Sequence, residues 1–161
     1  MDAIVTWILG TSINAWVLNT PWAWPISEIV HFIGLSILLG SMLLIDVRLA
    51  GHWRAIDLSA VHRLLPWAIA GFGINLITGV LFFFGDPERY VANIGFKIKM
   101  ILVVIAGLNA IYFKLKIDPD MASWGADDES TTQAKAVAYI SLLSWFGVLL
   151  FGRLIPYIGT G

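Results

Sequence analysis

The chain has 161 residues, of which 58% are hydrophobic and only 13% charged, and its mean hydropathy is +0.81. So apolar a composition excludes an ordinary water-soluble domain and makes the lipid bilayer the expected solvent. A formal charge of −1 with no basic run argues against nucleic acid as a partner, and the absence of cysteine excludes disulfides, iron–sulfur clusters, thiolate catalysis and covalent c-type haem.

In chain order, residues 3–18 carry Trp7 and Trp16 among Thr, Ser and Asn, with Trp22 and Trp24 close behind. That mixture predicts an amphipathic helix in the membrane interface followed by an aromatic anchor. The opening Met-Asp-Ala-Ile-Val-Thr-Trp has neither a basic leader nor a small-residue cleavage site, so no signal peptide is expected. Four apolar runs follow, at 26–49, 64–84, 96–115 and 136–154. Each is about 20 residues, enough to cross ~30 Å of hydrocarbon as a helix. Pro25 and Pro66 fall at the starts of the first two runs, where a missing N–H is harmless, and Pro156 closes the fourth. Residues 117–133, with Asp118, Asp120, Asp127, Asp128 and Glu129, read as a solvated, mobile loop.

The expected fold is therefore all-α: a single membrane domain over 1–161, built as an antiparallel four-helix transmembrane bundle preceded by an N-terminal interfacial amphipathic helix. The first and third connections carry Arg48, Arg54, Arg63, Lys114, Lys116 and Lys135, against Arg89, Lys97, Lys99 and Arg153 on the other side. That six-to-four balance places those connections inside and both termini outside.

Ionisable groups within spans mark possible chemistry, because each costs ~2.5–3.5 kcal/mol at mid-bilayer on insertion scales. Glu28, His31, Lys97, Lys99 and Arg153 lie at one membrane depth if the spans alternate in direction, so Glu28, Lys99 and Arg153 are candidates for a polar network around His31. Lys97 and Lys99 lie on different helix sides, and snorkelling to the headgroups is the plain alternative for both and for Arg153. His31 is the only histidine inside a span. It shares a helical stripe with Ser27, Gly34, Leu38 and Ser41, and that stripe has two readings. One is close small-residue packing with the histidine hydrogen-bonded across the bundle. The other is a haem b site with His31 as the iron ligand, Gly34 leaving room for the porphyrin, and Met100 at the right depth as second axial ligand unless a second subunit supplies its own His31. His52 and His62 flank the inner connection and cannot share an iron with His31. Glu28-x-x-His31 is half of a di-iron motif, but no other embedded acid completes it. Gly71, Asn75, Thr78 and Gly79 lie in mid-span and read as packing and interhelical hydrogen-bonding residues. No catalytic constellation is evident.

A wider pattern, Trp24-Pro25-x-x-Glu28-x-x-His31-x-x-Gly34, Asp46-x-Arg48-Leu49-x-Gly51, Pro66-Trp67-x-x-x-Gly71-Phe72, Thr78-Gly79, Tyr90-x-x-Asn93, Phe96-x-x-Lys99 and Asn109, resembles a family of small bacterial four-helix membrane proteins of unknown function. The resemblance implies that architecture and a bacterial plasma-membrane location. More loosely, the His-bearing first span is similar to membrane cytochromes b561 and to the copper-resistance D-type membrane domain, but the paired histidines of the former are absent. Three functions remain as expectations. The chain is a haem b electron-transfer subunit exchanging electrons with quinone or a redox partner protein, a non-catalytic scaffold subunit with a Glu28/His31/Lys99 network, or a small proton-coupled transporter. Small-residue faces predict a homo-oligomer or a subunit of a larger membrane complex. Asp46 and Arg48, two apart and on different helix faces, read as separate anchors to helix ends or loops.

Overall fold

The computed structural model describes residues 3–121, 124 and 130–159. Nine helices lie among them: α1 (Ala3–Leu9), α2 (Ser12–Asn19), α3 (Ala23–Leu49), α4 (Leu58–His62), α5 (Leu65–Gly85), α6 (Pro87–Ala92), α7 (Ile94–Lys116), α8 (Asp118–Met121) and α9 (Thr132–Leu154). Four stretches, Ala23–Leu49, Leu58–Gly85, Ile94–Lys116 and Thr132–Leu154, are long and apolar enough to cross a membrane, which fits a multi-pass membrane protein. α3 packs chiefly on α5, α7 on α9, and contact between α3 and α9 joins the two pairs.

The helix starts follow capping chemistry. Asn93 accepts from Phe96 N (3.0 Å) and starts α7, while Thr131 accepts from Ala134 N (3.2 Å) and starts α9. Both helices therefore begin earlier than the apolar runs predict, at Ile94 and Thr132 rather than 96 and 136. Asn93 is fully buried, and its Nδ2 also donates to Ile155 O (2.8 Å) and Ile158 O, tying the start of α7 to the end of α9. α3 starts at Ala23, ahead of Pro25, because the first-turn N–H groups have no intrahelical acceptor to lose.

Two expectations are corrected. Residues 3–18 form two short helices broken at Gly10. Thr11 caps the second, accepting from Asn14 N (3.2 Å) and donating to Ile8 O (2.7 Å). Val5, Ile8 and Val17 are buried, and Asn14 Nδ2 donates to Phe84 O (2.7 Å), so the pair is pinned to the end of α5. The 117–133 stretch is not uniformly solvated: Ile117, Met121 and Ser130 are buried, and the Asp118 side chain is only 11% exposed. Asp127, Asp128 and Glu129 lie outside the described residues.

At this end of the molecule Ile45, Leu49, Leu58, Val61, Phe113, Ile117 and Ala138 form the main apolar cluster. Its rim is held by Asp118, whose two carboxylate oxygens take His62 Nε2 from α4 and Lys114 Nζ from α7.

The α3–α5 contact is made by glycine. A Cβ at Gly71 would lie 2.7 Å from both Gly34 O and Leu38 N, backbone atoms that cannot swing aside. A Cβ at Gly34 would meet Ile74 Cγ2 at 2.6 Å and Asn75 Nδ2 at 2.7 Å. Nearer the helix start, a Cβ at Gly85 would lie 2.9 Å from Trp24 Cζ3. Positions in contact thus fall along α3 as they rise along α5.

Gly71→Ala should separate the two backbones and destabilise the protein by about 1–3 kcal/mol, whereas Gly73→Ala, whose Cβ meets nothing within 4 Å, should be neutral or mildly stabilising. Thermal unfolding in detergent checks both. For Asp118, burial pushes the carboxyl up, but hydrogen bonds and charge from Lys114 and His62 outweigh it and hold the group below the usual aspartate value. A depressed folded pKa contributes stability above the unfolded value, ~3.9, and loses it as pH falls through the folded one. Asp118→Asn should therefore lower the melting temperature at pH 7 and flatten its decline below about pH 4.

Candidate functional site

His31 lies nine residues into α3, on the face that buries Ser27, Gly34, Leu38, Ser41 and Ile45. Polar side chains near it are satisfied within their own helices, as hydrocarbon requires: Ser27 Oγ donates to Ala23 O (2.7 Å) and Asn75 Nδ2 to Gly71 O (3.0 Å). The glycine contact brings α5 close enough for His31 Nδ1 to reach Thr78 Oγ1 at 2.7 Å. Phe82, one turn further along α5, packs its ring 5.4 Å from the imidazole.

The tautomer follows from where Thr78 sends its single hydroxyl proton. With that proton on Ile74 O at 2.7 Å, the i−4 bond available to a helical threonine, the oxygen accepts at His31, Nδ1 carries the imidazole proton and Nε2 keeps its lone pair. Among the described residues no hydrogen-bond partner faces Nε2. Lys99, half-buried on α7, is near enough for its charge to act on the ring, and its chain lies along α9, with Nζ 3.5 Å from where a Gly152 Cβ would be.

The remaining expected members do not join. Glu28 is exposed and accepts from Trp24 Nε1 (3.1 Å), so it belongs to the helix surface. Its charge reaches Tyr90 in α6, where burial pushes the phenol up, Arg89 opposes, and Asp86 and Glu28 add to the rise. No ion pair joins Glu28 to Lys99. Arg153 is exposed, its guanidinium 5.8 Å from the Tyr157 ring centre, and Lys97 is exposed too. Long cationic chains lie along apolar surface with their heads outward, which accounts for both. Met100 is 43% exposed. The room at Gly34 is filled by Ile74 and Asn75. His31 and Thr78 are what the fold brings into contact, while Lys99 lies against α9.

At the other end of α3, Asp46 and Arg48 are both buried, 3% and 1% exposed. They make separate contacts: Arg48 Nε donates to Ile56 O (2.6 Å), folding the connection back on the helix end, while Ser141 of α9 donates to the Asp46 carboxyl. His52 Nε2 lies 3.3 Å from Tyr139 Oη. No group of three or more metal-ligating side chains occurs among the described residues.

Because Glu28 and Lys99 are not paired, Glu28→Gln and Lys99→Met should act additively on thermal stability, within about 0.5 kcal/mol; a coupling of 1 kcal/mol or more would place them in one site.

No family model matches the chain, and no curated protein or solved structure matches it either.

Proposed function

We propose that the chain is a non-catalytic subunit of a bacterial plasma membrane, an antiparallel four-helix bundle whose interior polar residues fix helix packing. The observation that carries this reading is the His31–Thr78 hydrogen bond beside the Gly34–Gly71 approach. In lipid, helices gain nothing from the hydrophobic effect against each other, so small residues and interhelical hydrogen bonds supply the adhesion. The alternation of the spans is supported by contact positions that fall along α3 as they rise along α5. Exposed Trp7, Trp16 and Trp22 near one end, and Trp53 and Trp67 near the other, suit the two interfaces. The six-to-four Lys/Arg balance supports termini on the outer side. α7 buries only Gly95, Ala106 and Phe113 and, away from its contact with α9, leaves much of its surface exposed, which supports a homo-oligomer or a larger complex.

One observation favours a second reading. A histidine with Nδ1–H held by a neighbouring oxygen and Nε2 bare is oriented as an iron ligand is, its second nitrogen fixed by an outer partner. Haem b on His31 would then take its other axial ligand from a second chain, since Met100 is exposed and Gly34 is closed by α5. Such a subunit would pass electrons to quinone or a redox protein.

Two measurements separate the readings. Purified from cells supplied with haem, a packing subunit is colourless, and a double-mutant cycle of His31→Ala and Thr78→Val shows coupling of about 0.5–2 kcal/mol in thermal unfolding. A Soret band present in the wild type and lost in His31→Ala, but kept in His52→Ala and His62→Ala, would establish the haem subunit instead.

A further inference from the structure

Hydrogen-bond donors from two elements meet at the turn that follows α3. Gly51 takes φ +94° there, and a Cβ on it would lie 3.3 Å from Lys135 Cε and 3.8 Å from Lys135 Nζ, so this lysine of α9 lies against the turn. One helical turn along α9, Tyr139 Oη meets His52 Nε2 at 3.3 Å. Lys135 is half-buried, His52 and Tyr139 are exposed, and among the described residues no carboxylate bonds to any of the three. A neutral imidazole and a phenol bring two protons to the bond between them and use one, so the pair keeps one N–H or O–H for an outside acceptor. With the ammonium beside it, the turn presents donors and positive charge and lacks the anion that would match them.

The surroundings say which anion. Trp53, next in the chain, is 52% exposed and held at φ +49°, a left-handed conformation that strains a bulky side chain. Tryptophan at the end of a span stands at headgroup level. On α9 the face that carries Lys135 and Tyr139 continues as Leu143, Phe146 and Leu150, which are 74%, 63% and 55% exposed. At 3.6 residues per turn the five positions fall within about 80° of one another. One helix face thus presents polar donors at the membrane interface and an apolar track running inward from them, the order in which a phospholipid presents its phosphate and its acyl chain.

We propose that this corner of the molecule binds an anionic phospholipid, whose headgroup phosphate accepts from Lys135 Nζ and from the His52–Tyr139 pair while an acyl chain lies along Leu143 and Phe146. The phosphate is matched in charge by the ammonium and in hydrogen bonding by both groups. A choline lipid carries the same phosphate but brings a second cation to the lysine, so it binds less well. Free phosphate would make the polar contacts and leave the apolar track unused. The site requires only that α3 and α9 span a bilayer, and it is independent of what His31 does.

The test is native mass spectrometry of the full chain in detergent, titrated with dioleoyl phosphatidylglycerol or with dioleoyl phosphatidylcholine. The expected result is one phosphatidylglycerol bound about fivefold or more tightly than phosphatidylcholine, the worth of one interfacial cation. That preference should fall about fivefold in Lys135→Gln and in the double change His52→Ala, Tyr139→Phe. Lys135→Arg, which keeps the charge, and Lys97→Gln, at the opposite end of the spans, should both retain it. Lipid-free melting curves that match the wild type separate loss of the site from misfolding. Equal binding of the two lipids by the wild type, or a preference unchanged in both Lys135→Gln and the double variant, would overturn the proposal. So would inorganic phosphate raising the melting temperature as much as phosphatidylglycerol does, since the ligand would then be the free ion.

Discussion

Everything on the α3 side of this protein depends on two backbones touching. Between Gly34 and Gly71 there is no room for a methyl group on either helix. In water such a contact would be one of many; in lipid, where the solvent is as apolar as the side chains, close packing is one of the few things that hold helices together. The contact fixes the register of α5 on α3, and the register decides which polar groups meet. One helical turn from Gly34 stands His31, and two turns from Gly71 stands Thr78, so the hydrogen bond between them follows from the glycines. Had the helices been separated by a side-chain layer, imidazole and hydroxyl would not reach each other.

The rest of the molecule obeys the same solvent. Ser27, Ser36, Asn75 and Thr78 all turn back to carbonyls of their own helices, and Asn109 Nδ2 crosses to Val137 O at 3.0 Å. Charged side chains near the ends of the long helices stay exposed, as Arg153 and Lys97 are. Buried ones are bonded, as Arg48 is to the Ile56 carbonyl. Asp46 is the exception, with a hydrogen bond from Ser141 and Oδ2 left without a partner.

The four spans were legible because hydrocarbon imposes a length and a composition that a sequence cannot conceal. Their exact starts were less so. The apolar run after Asn93 is interrupted by Lys97 and Lys99, which hides the fact that Asn93 itself caps the helix, and Thr131 likewise starts α9 ahead of its apolar stretch. The buried stripe of α3 was readable from spacing, and so was the role of Thr78 as an interhelical partner. The polar network was not. Depth along a span can be counted from sequence, but the direction in which a side chain leaves its helix depends on where the neighbours stand. Glu28, Lys99 and Arg153 share a depth, yet Glu28 bonds to Trp24 and Arg153 lies by Tyr157. Asp118 was misplaced for the same reason: composition marks its segment as acidic and wet, while its burial comes from α4 and α7 closing over it.

The most direct test is the protonation pattern of one ring. With His52 and His62 replaced, so that His31 is the only histidine, ¹⁵N NMR of the protein in bilayers reports each imidazole nitrogen separately. The packing account predicts a neutral ring with the proton on Nδ1, a bare Nε2, and a change in both signals in Thr78→Val. A proton on Nε2, a doubly protonated ring at neutral pH, or signals indifferent to Thr78 would contradict it.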